Sequence, residues 1–227
     1  GTGLAMLGEK VILIDTDIGL RNLDVIMGLE NRIVYHLVDI IEGGCRIKQA
    51  LIRDKRYPNL FLLPSAQTRD KTSVSPEQMK KLIEQLRDDF DYILIDCMPS
   101  LGMITINALV AADRVLIPVE AAYLPVKGLQ QLIKTIGRVH RKLNPELSIM
   151  GILFTKVDRR TNFAKDIAAQ IREVYGNKIH IFANCIPMSV KAAETTAEGK
   201  SIYLHDPKGI VAEGYHYLTG EVLDDEE

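Results

Sequence analysis

Three aspartates stand where carboxylates can do chemistry. Asp15 and Asp17 come directly after the apolar run Val11-Ile12-Leu13-Ile14, and Asp96 comes after Tyr92-Ile93-Leu94-Ile95. Aspartate is a poor strand residue, so one that closes an apolar run marks where a buried strand ends. Four apolar residues and then Asp is a layout that holds Mg2+, usually through its water shell, beside the phosphates of a nucleotide. Alone, Asp15-Thr16-Asp17 could equally cap a turn leading into Ile18-Gly19-Leu20. The second run repeats the arrangement and opens into the loop Pro99-Ser100-Leu101-Gly102, so two separate strands are expected to deliver carboxylates.

Short runs rich in Val, Ile and Leu, too short for helices and bounded by Asp, Pro or Gly, are what buried parallel strands look like. They predict strands at residues 10–16, 60–64, 91–96, 114–119, 148–155 and 179–184. Helical periods lie between them. Residues 76–88 form a helix with Ser75 as cap, Pro76 in the first helical position and Gln78 closing a capping box. Leu129, Leu132, Ile133, Ile136 and Val139 make an apolar stripe on a helix over residues 126–143, which Asn144-Pro145 ends. A further helix starts at residue 162 and buries Phe163, Ile167, Ile171 and Val174. Alternating strands and helices specify an α/β, doubly wound, mainly parallel sheet with helices on both faces, in which ligands bind beyond the carboxyl ends of the strands.

With 227 residues, 47% hydrophobic and 26% charged, the chain has the profile of one globular domain with a full core. Its 28 basic and 30 acidic side chains give a net charge of -2, which excludes a protein-wide basic field for nucleic acid or anionic lipid and leaves room for a local patch. No apolar run approaches the roughly 20 residues that cross a bilayer. Cys45, Cys97 and Cys185 are isolated and odd in number, and the five histidines are scattered, so neither a disulfide framework nor a zinc site is expected and a reducing cytoplasm fits.

The stretch Asp15-Thr16-Asp17-Ile18-Gly19-Leu20-Arg21-Asn22-Leu23-Asp24, with Val25-Ile26-Met27-Gly28 after it, resembles the segment downstream of the phosphate-binding loop in MinD, the division-site ATPase; Gln67-Thr68-Arg69-Asp70-Lys71 does too. From Asp96-Cys97-Met98-Pro99-Ser100-Leu101-Gly102 onward, through Thr105-Ile106-Asn107-Ala108-Leu109, Arg160-Thr161-Asn162 and residues 191–200, the chain resembles the partition ATPase ParA. Both belong to one family of P-loop ATPases with a deviant Walker A motif. The resemblance implies ATP and Mg2+ as ligands. It gives Asp17 the orientation of the attacking water and a place at the metal, Asp15 the support of that water and of the magnesium, Asp96 the Walker B role at the metal, and Pro99, Ser100 and Gly102 the second switch that senses the γ-phosphate.

Thr155-Lys156-Val157-Asp158 is similar to the TKxD box with which related GTPases hold guanine, and ParA-like proteins use this region for adenine. By the same resemblance Pro187 lines the base pocket, while Arg159, Arg160, Lys165 and Lys191 match positions that touch DNA phosphates. A strand-end turn and an ordinary solvated charged turn are the respective alternatives.

A phosphate-binding loop needs a strand, a Gly-rich turn, and then Lys and Ser/Thr opening a helix. The nearest approach, Gly3 to Lys10, has Glu9 in the way, no Ser/Thr after Lys10, and helix-favouring Leu4-Ala5-Met6-Leu7 leading into a strand. The expectation is a single domain over residues 1–227 that begins inside the helix after that loop and lacks the first strand. Tight ATP binding and Mg2+-dependent hydrolysis are then not expected of these residues alone, and neighbouring strands are left with open edges.

The leading function is that of ParA, an ATP-bound dimer on nonspecific DNA, nucleoid-associated in the cytoplasm and released by a centromere-bound ParB-like partner. One alternative is MinD-type positioning of the division site, against which the acidic end Asp224-Asp225-Glu226-Glu227 argues, since an anionic membrane would repel it. The other is a non-catalytic DNA- or protein-binding module.

Overall fold

The computed structural model describes residues 1–19, 22–66, 74–120, 125–158 and 160–225, with the backbone alone for residues 125–127, 162 and 163. The MinD-like motif at residues 67–71, together with Leu20, Arg21 and Arg159, lies outside the described residues, as does the side chain of Phe163. Two compact units emerge, Gly1–Ala111 with Thr195–Ser201, and Ala112–Glu194 with Ile202–Glu227.

The first unit is built on strands β1 (Val11–Asp15), β2 (Ile52–Arg53), β3 (Leu60–Leu63) and β4 (Tyr92–Asp96). Among the described residues they form one sheet in the order β2-β3-β1-β4, with β1 parallel to both neighbours and β2 antiparallel to β3. Strand β1 is central, and Val11, Ile12 and Ile14 are fully buried. Strand β4, though equally apolar, is only half-buried from Tyr92 to Ile95, because its described pairing is to β1 alone. The two-residue β2 is too short to show any alternation in the sequence.

Helices α1 (Thr2–Met6), α2 (Leu23–Ile26), α3 (Leu37–Ile41), α4 (Ile47–Ala50), α5 (Pro76–Arg87) and α6 (Met103–Ala111) complete this unit. Helix α5 matches its expected bounds within a residue. Ser75 Oγ accepts from Gln78 N–H at 3.2 Å and Gln78 Oε1 accepts from Ser75 N–H at 2.8 Å, a reciprocal cap that contributes about 1 kcal/mol. Met79, Leu82, Ile83 and Leu86, spaced i, i+3, i+4, i+7, bury one face in a core shared with Ile12, Ile14, Leu63 and Ile104. Each such side chain contributes roughly 1.5–3 kcal/mol by leaving water.

The second unit pairs β5 (Arg114–Glu120) with β6 (Ser148–Thr155) in parallel and carries α7 (Pro125–Lys142) and α8 (Asn162–Tyr175). Helix α9 (Val190–Glu198) has residues of each unit, and α10 (Ile202–His205) and α11 (Ile210–Asp224) follow in the second. Leu129, Ile136 and Val139 of α7 and Ile167 and Ile171 of α8 are buried as their spacing requires. Val174 is instead 59% exposed: it sits in the last turn of α8, which ends at Gly176.

The strand expected at residues 179–184 is also corrected. Residues 180–188 follow β6, with Ile152 bonded to His180 and Phe182, Phe154 O to Ile186 N–H, and Val157 to Ile186 and Met188. Only isolated bridges result, because the chain detours at Ala183 and Asn184. Their N–H groups donate instead to the Glu221 carboxylate of α11, at 3.0 and 3.3 Å, and Asn184 Nδ2 adds a third bond at 3.0 Å. A side chain distant in sequence has taken donors that a strand would have used.

Candidate functional site

Register brings the first carboxylates together. Strands β1 and β4 pair so that Asp15 lies opposite Asp96, both at the carboxyl ends of parallel strands. Thr16 bolts those ends: its N–H donates to Asp96 O at 3.1 Å and its Oγ1 to the same oxygen at 2.6 Å. Thr16 is fully buried, and a Thr between two aspartates carries no signal of this role in the sequence.

Asp15 is 1% exposed. Its Oδ1 accepts from Asp17 N–H at 2.8 Å and its Oδ2 from Leu23 N–H at 3.4 Å. Burial raises its carboxyl to about 6; those two hydrogen bonds act in the opposite sense, and the charges of Asp96 and Asp17 add to the rise. Asp15 thus caps the Asp17 turn, as the turn reading expects, and lies opposite Asp96 at the strand ends. Asp96 is open to solvent at the strand end, yet partial desolvation, followed by the charge of Asp17, raises its carboxyl as well. Asp17 receives Asn22 Nδ2 on Oδ2 at 3.4 Å, while its buried Oδ1 has no hydrogen-bond partner among the described residues. The loop after β4, with Pro99 and Ser100 exposed and Gly102 half-buried, is anchored to α6: Thr105 Oγ1 donates to Ser100 O at 2.8 Å and Ile106 N–H to Gly102 O at 3.1 Å.

Carboxylates that raise one another's proton affinity form a site for positive charge. The unsatisfied Asp17 oxygen fits a cation's hydration water. No group of three or more His, Cys, Asp or Glu among the described residues makes a metal cage. The arrangement suits Mg2+, which keeps several waters and takes its remaining ligands from carboxylate and phosphate. The sequence contains no Gly-x-x-x-x-Gly-Lys-Ser/Thr run to cradle those phosphates.

The second set of candidates lies in the other unit and is described by itself. Thr155 closes β6, and Lys156 follows in left-handed backbone (φ 49°), its Nζ 3.5 Å from Glu120 Oε2. Val157 bridges Pro187, so the structure does bring the Thr155–Asp158 turn and Pro187 together. Asp158 is engaged by Arg160 in a two-pronged pair, Nε to Oδ1 and Nη2 to Oδ2, both at 3.0 Å. Hydrogen bonds from Arg160 hold the Asp158 carboxyl below its ordinary range. Lys191 Nζ is 3.0 Å from Asp206 Oδ1, and Lys165 is exposed in the first turn of α8. Arg160 and Lys191 are thus each paired with an internal carboxylate while their side chains stay largely exposed.

A family model described as an AAA domain matches residues 1–149. The septum site-determining protein MinD of Bacillus subtilis is 49% identical over 153 residues, 67% of this chain. The chain spans 57% of that relative's length. The chromosome-partitioning ATPase Soj of Treponema pallidum is 35% identical over 230 residues, covering 98% of this chain and 88% of its own. Among solved structures, cobyrinic acid a,c-diamide synthase from Mycobacterium smegmatis, with bound ATP analogue and magnesium, superposes with a TM-score of 0.79 at 26% identity over 98% of this chain and 85% of that one.

Proposed function

Because the chain belongs to the ParA/MinD family of P-loop ATPases with an α/β fold, we propose that it serves as a ParA-type partition ATPase, acting on nonspecific DNA as a nucleotide-dependent dimer. The observation that carries the nucleotide chemistry is the pairing of Asp15 with Asp96 beside the unsatisfied Asp17 oxygen. Partition is favoured because a partitioning relative matches 98% of the chain by sequence, whereas the MinD of Bacillus subtilis matches 67% of it. This reading takes both units as parts of one ATPase domain working in the cytoplasm at the nucleoid, with a centromere-bound protein as its partner.

Bound Mg2+ supplies charge neutralisation at ATP phosphates. Asp96 would help hold that ion at the carboxyl end of β4. Asp17, with Oδ2 steadied by Asn22 and Oδ1 free to accept, orients a water and draws on its proton. Asp15 holds the Asp17 N–H and so fixes the turn. Pro99, Ser100 and Gly102 form the segment that responds to nucleotide state, Thr155, Lys156, Asp158 and Pro187 border the base, and Arg159, Arg160, Lys165 and Lys191 meet DNA phosphates, each contact costing affinity as salt rises.

The test joins the chain behind a strand and Gly-rich phosphate-binding loop. Mg2+-dependent ATP hydrolysis is expected, falling at least about 100-fold in Asp17→Ala. Fluorescence anisotropy on random-sequence DNA should show binding that requires ATP and weakens with salt. Equal DNA binding with and without nucleotide identifies a non-catalytic module instead. Sedimentation with anionic vesicles in place of DNA binding identifies the MinD-type activity.

A further inference from the structure

Residues 54–57 form a fixed turn that reaches a distant part of the first unit. Buried Asp54 accepts through Oδ1 from the N–H groups of Arg56 at 2.7 Å and Tyr57 at 3.0 Å, and its Oδ2 is 3.4 Å from Arg56 Nη2. The turn aims the Arg56 guanidinium at two carbonyls. Nη2 donates to Met27 O at 2.6 Å, and Nη1 donates to Gly199 O at 2.7 Å. Met27 is the C-cap of α2, where helix carbonyls lack partners within the helix.

The neighbouring backbones cross closely. Gly28 (φ 62°) and Gly199 (φ 57°) are both left-handed. A Cβ on Gly28 would lie 2.9 Å from Gly199 O, and one on Gly199 would lie 2.8 Å from Gly28 Cα. Glycine alone meets both demands without strain. Tyr57 Oη and Ser201 Oγ share a hydrogen bond at 2.7 Å, and Thr195–Ser201 counts with the same unit as Arg56 and Gly28. The other end of α2 faces the carboxylates, where Leu23 N–H donates to Asp15 Oδ2. Helix α2 has four residues, too few to hold its own place in the absence of contacts at its ends.

We propose that Arg56, acting with the crossing glycines Gly28 and Gly199, is a positioning residue for the carboxylate site: it pins the C-terminal end of α2 and so sets where the Leu23 N–H meets Asp15. The importance of Asp15 rests on the ATPase reading; the pinning does not. The fork geometry of the guanidinium serves both carbonyls at once, which the compact ammonium of lysine does not.

Amide hydrogen exchange of the 227-residue chain, measured by NMR without nucleotide, tests this in Arg56→Ala, Arg56→Lys and Gly199→Ala. The Leu23 and Met27 amides should exchange at least about tenfold faster in all three variants, while Ile12 and Leu13 of β1 stay within about twofold of the parent, the signature of local opening. Unchanged exchange at Leu23, an equal rise throughout β1 and α2, or full protection in Arg56→Lys would overturn the proposal. If Gly199→Ala does not fold, the two Arg56 variants decide. The measurement needs no ATP, so an absence of hydrolysis in the chain joined to a phosphate-binding loop refutes the functional reading while leaving the pinning to be judged on exchange alone.

Discussion

At the scale of single residues, Asp15 combines near-complete burial with an ionisable group, and that has a consequence for stability. Its carboxyl is raised to about 6 in the fold, against an ordinary value of 3.8. Between those values the folded chain binds more protons than the unfolded one, so the Asp15 contribution to stability is present below about pH 4 and lost as pH rises through about 6. A shift of this size corresponds to at most about 3 kcal/mol. Urea unfolding at pH 4.5 and pH 7 should show Asp15→Asn gaining relative to the parent at the higher pH. An identical difference between the two proteins at both pH values would contradict it. Asp15, Asp17 and Asp96 could be picked out in the sequence because the run Ile-Leu-Ile-Asp occurs at residues 12–15 and again at 93–96. Thr16 and Arg56 could not, since their partners are set by register and by a chain crossing between residues as far apart as 56 and 199.

At the scale of elements, long periodic segments were readable and short ones were not. Helix α5 declares itself through its cap and its stripe, both local. Strand β2 has two residues and no pattern, and the segment after Ile179 looks like a strand but is diverted by Glu221, forty residues on. That acid accepts from two backbone donors and one side-chain amide, so Glu221→Ala should cost about 1 kcal/mol, part of the loss being made up by water at the exposed Ala183 N–H. Urea midpoints will measure this, and Glu221→Gln should retain part of the loss-free behaviour because its amide oxygen still accepts. A neutral alanine variant would mean that water replaces the carboxylate and that something else turns the chain at Ala183.

At the scale of the molecule, the chemistry is divided. The first unit holds carboxylates suited to a hydrated cation, and the second holds a strand-end turn beside Pro187 with Arg160 and Lys191 engaged by internal acids. No helix among the described residues is long and apolar enough to cross a membrane. The α/β class followed from the alternation of strands and helices, whereas the division into two described sheets depends on which strand edges are paired, and edge pairing leaves no mark on composition. Without an amide cradle and lysine, carboxylates cannot hold the phosphates of ATP, so the 227 residues by themselves should show no Mg2+-dependent ATP hydrolysis above a buffer control in a phosphate-release assay. Turnover abolished by Asp17→Ala would show that they supply the phosphate contacts in another way.

The convergence of the aspartates is tested most directly by a carbon-13 NMR titration of the Asp15 carboxyl in the parent chain and in Asp96→Asn. Asp15 should titrate near pH 6 in the parent, and at a lower pH once the neighbouring charge is removed. An Asp15 that titrates near pH 4 and ignores the substitution would place the two carboxylates in separate environments, and the shared cation site would not exist.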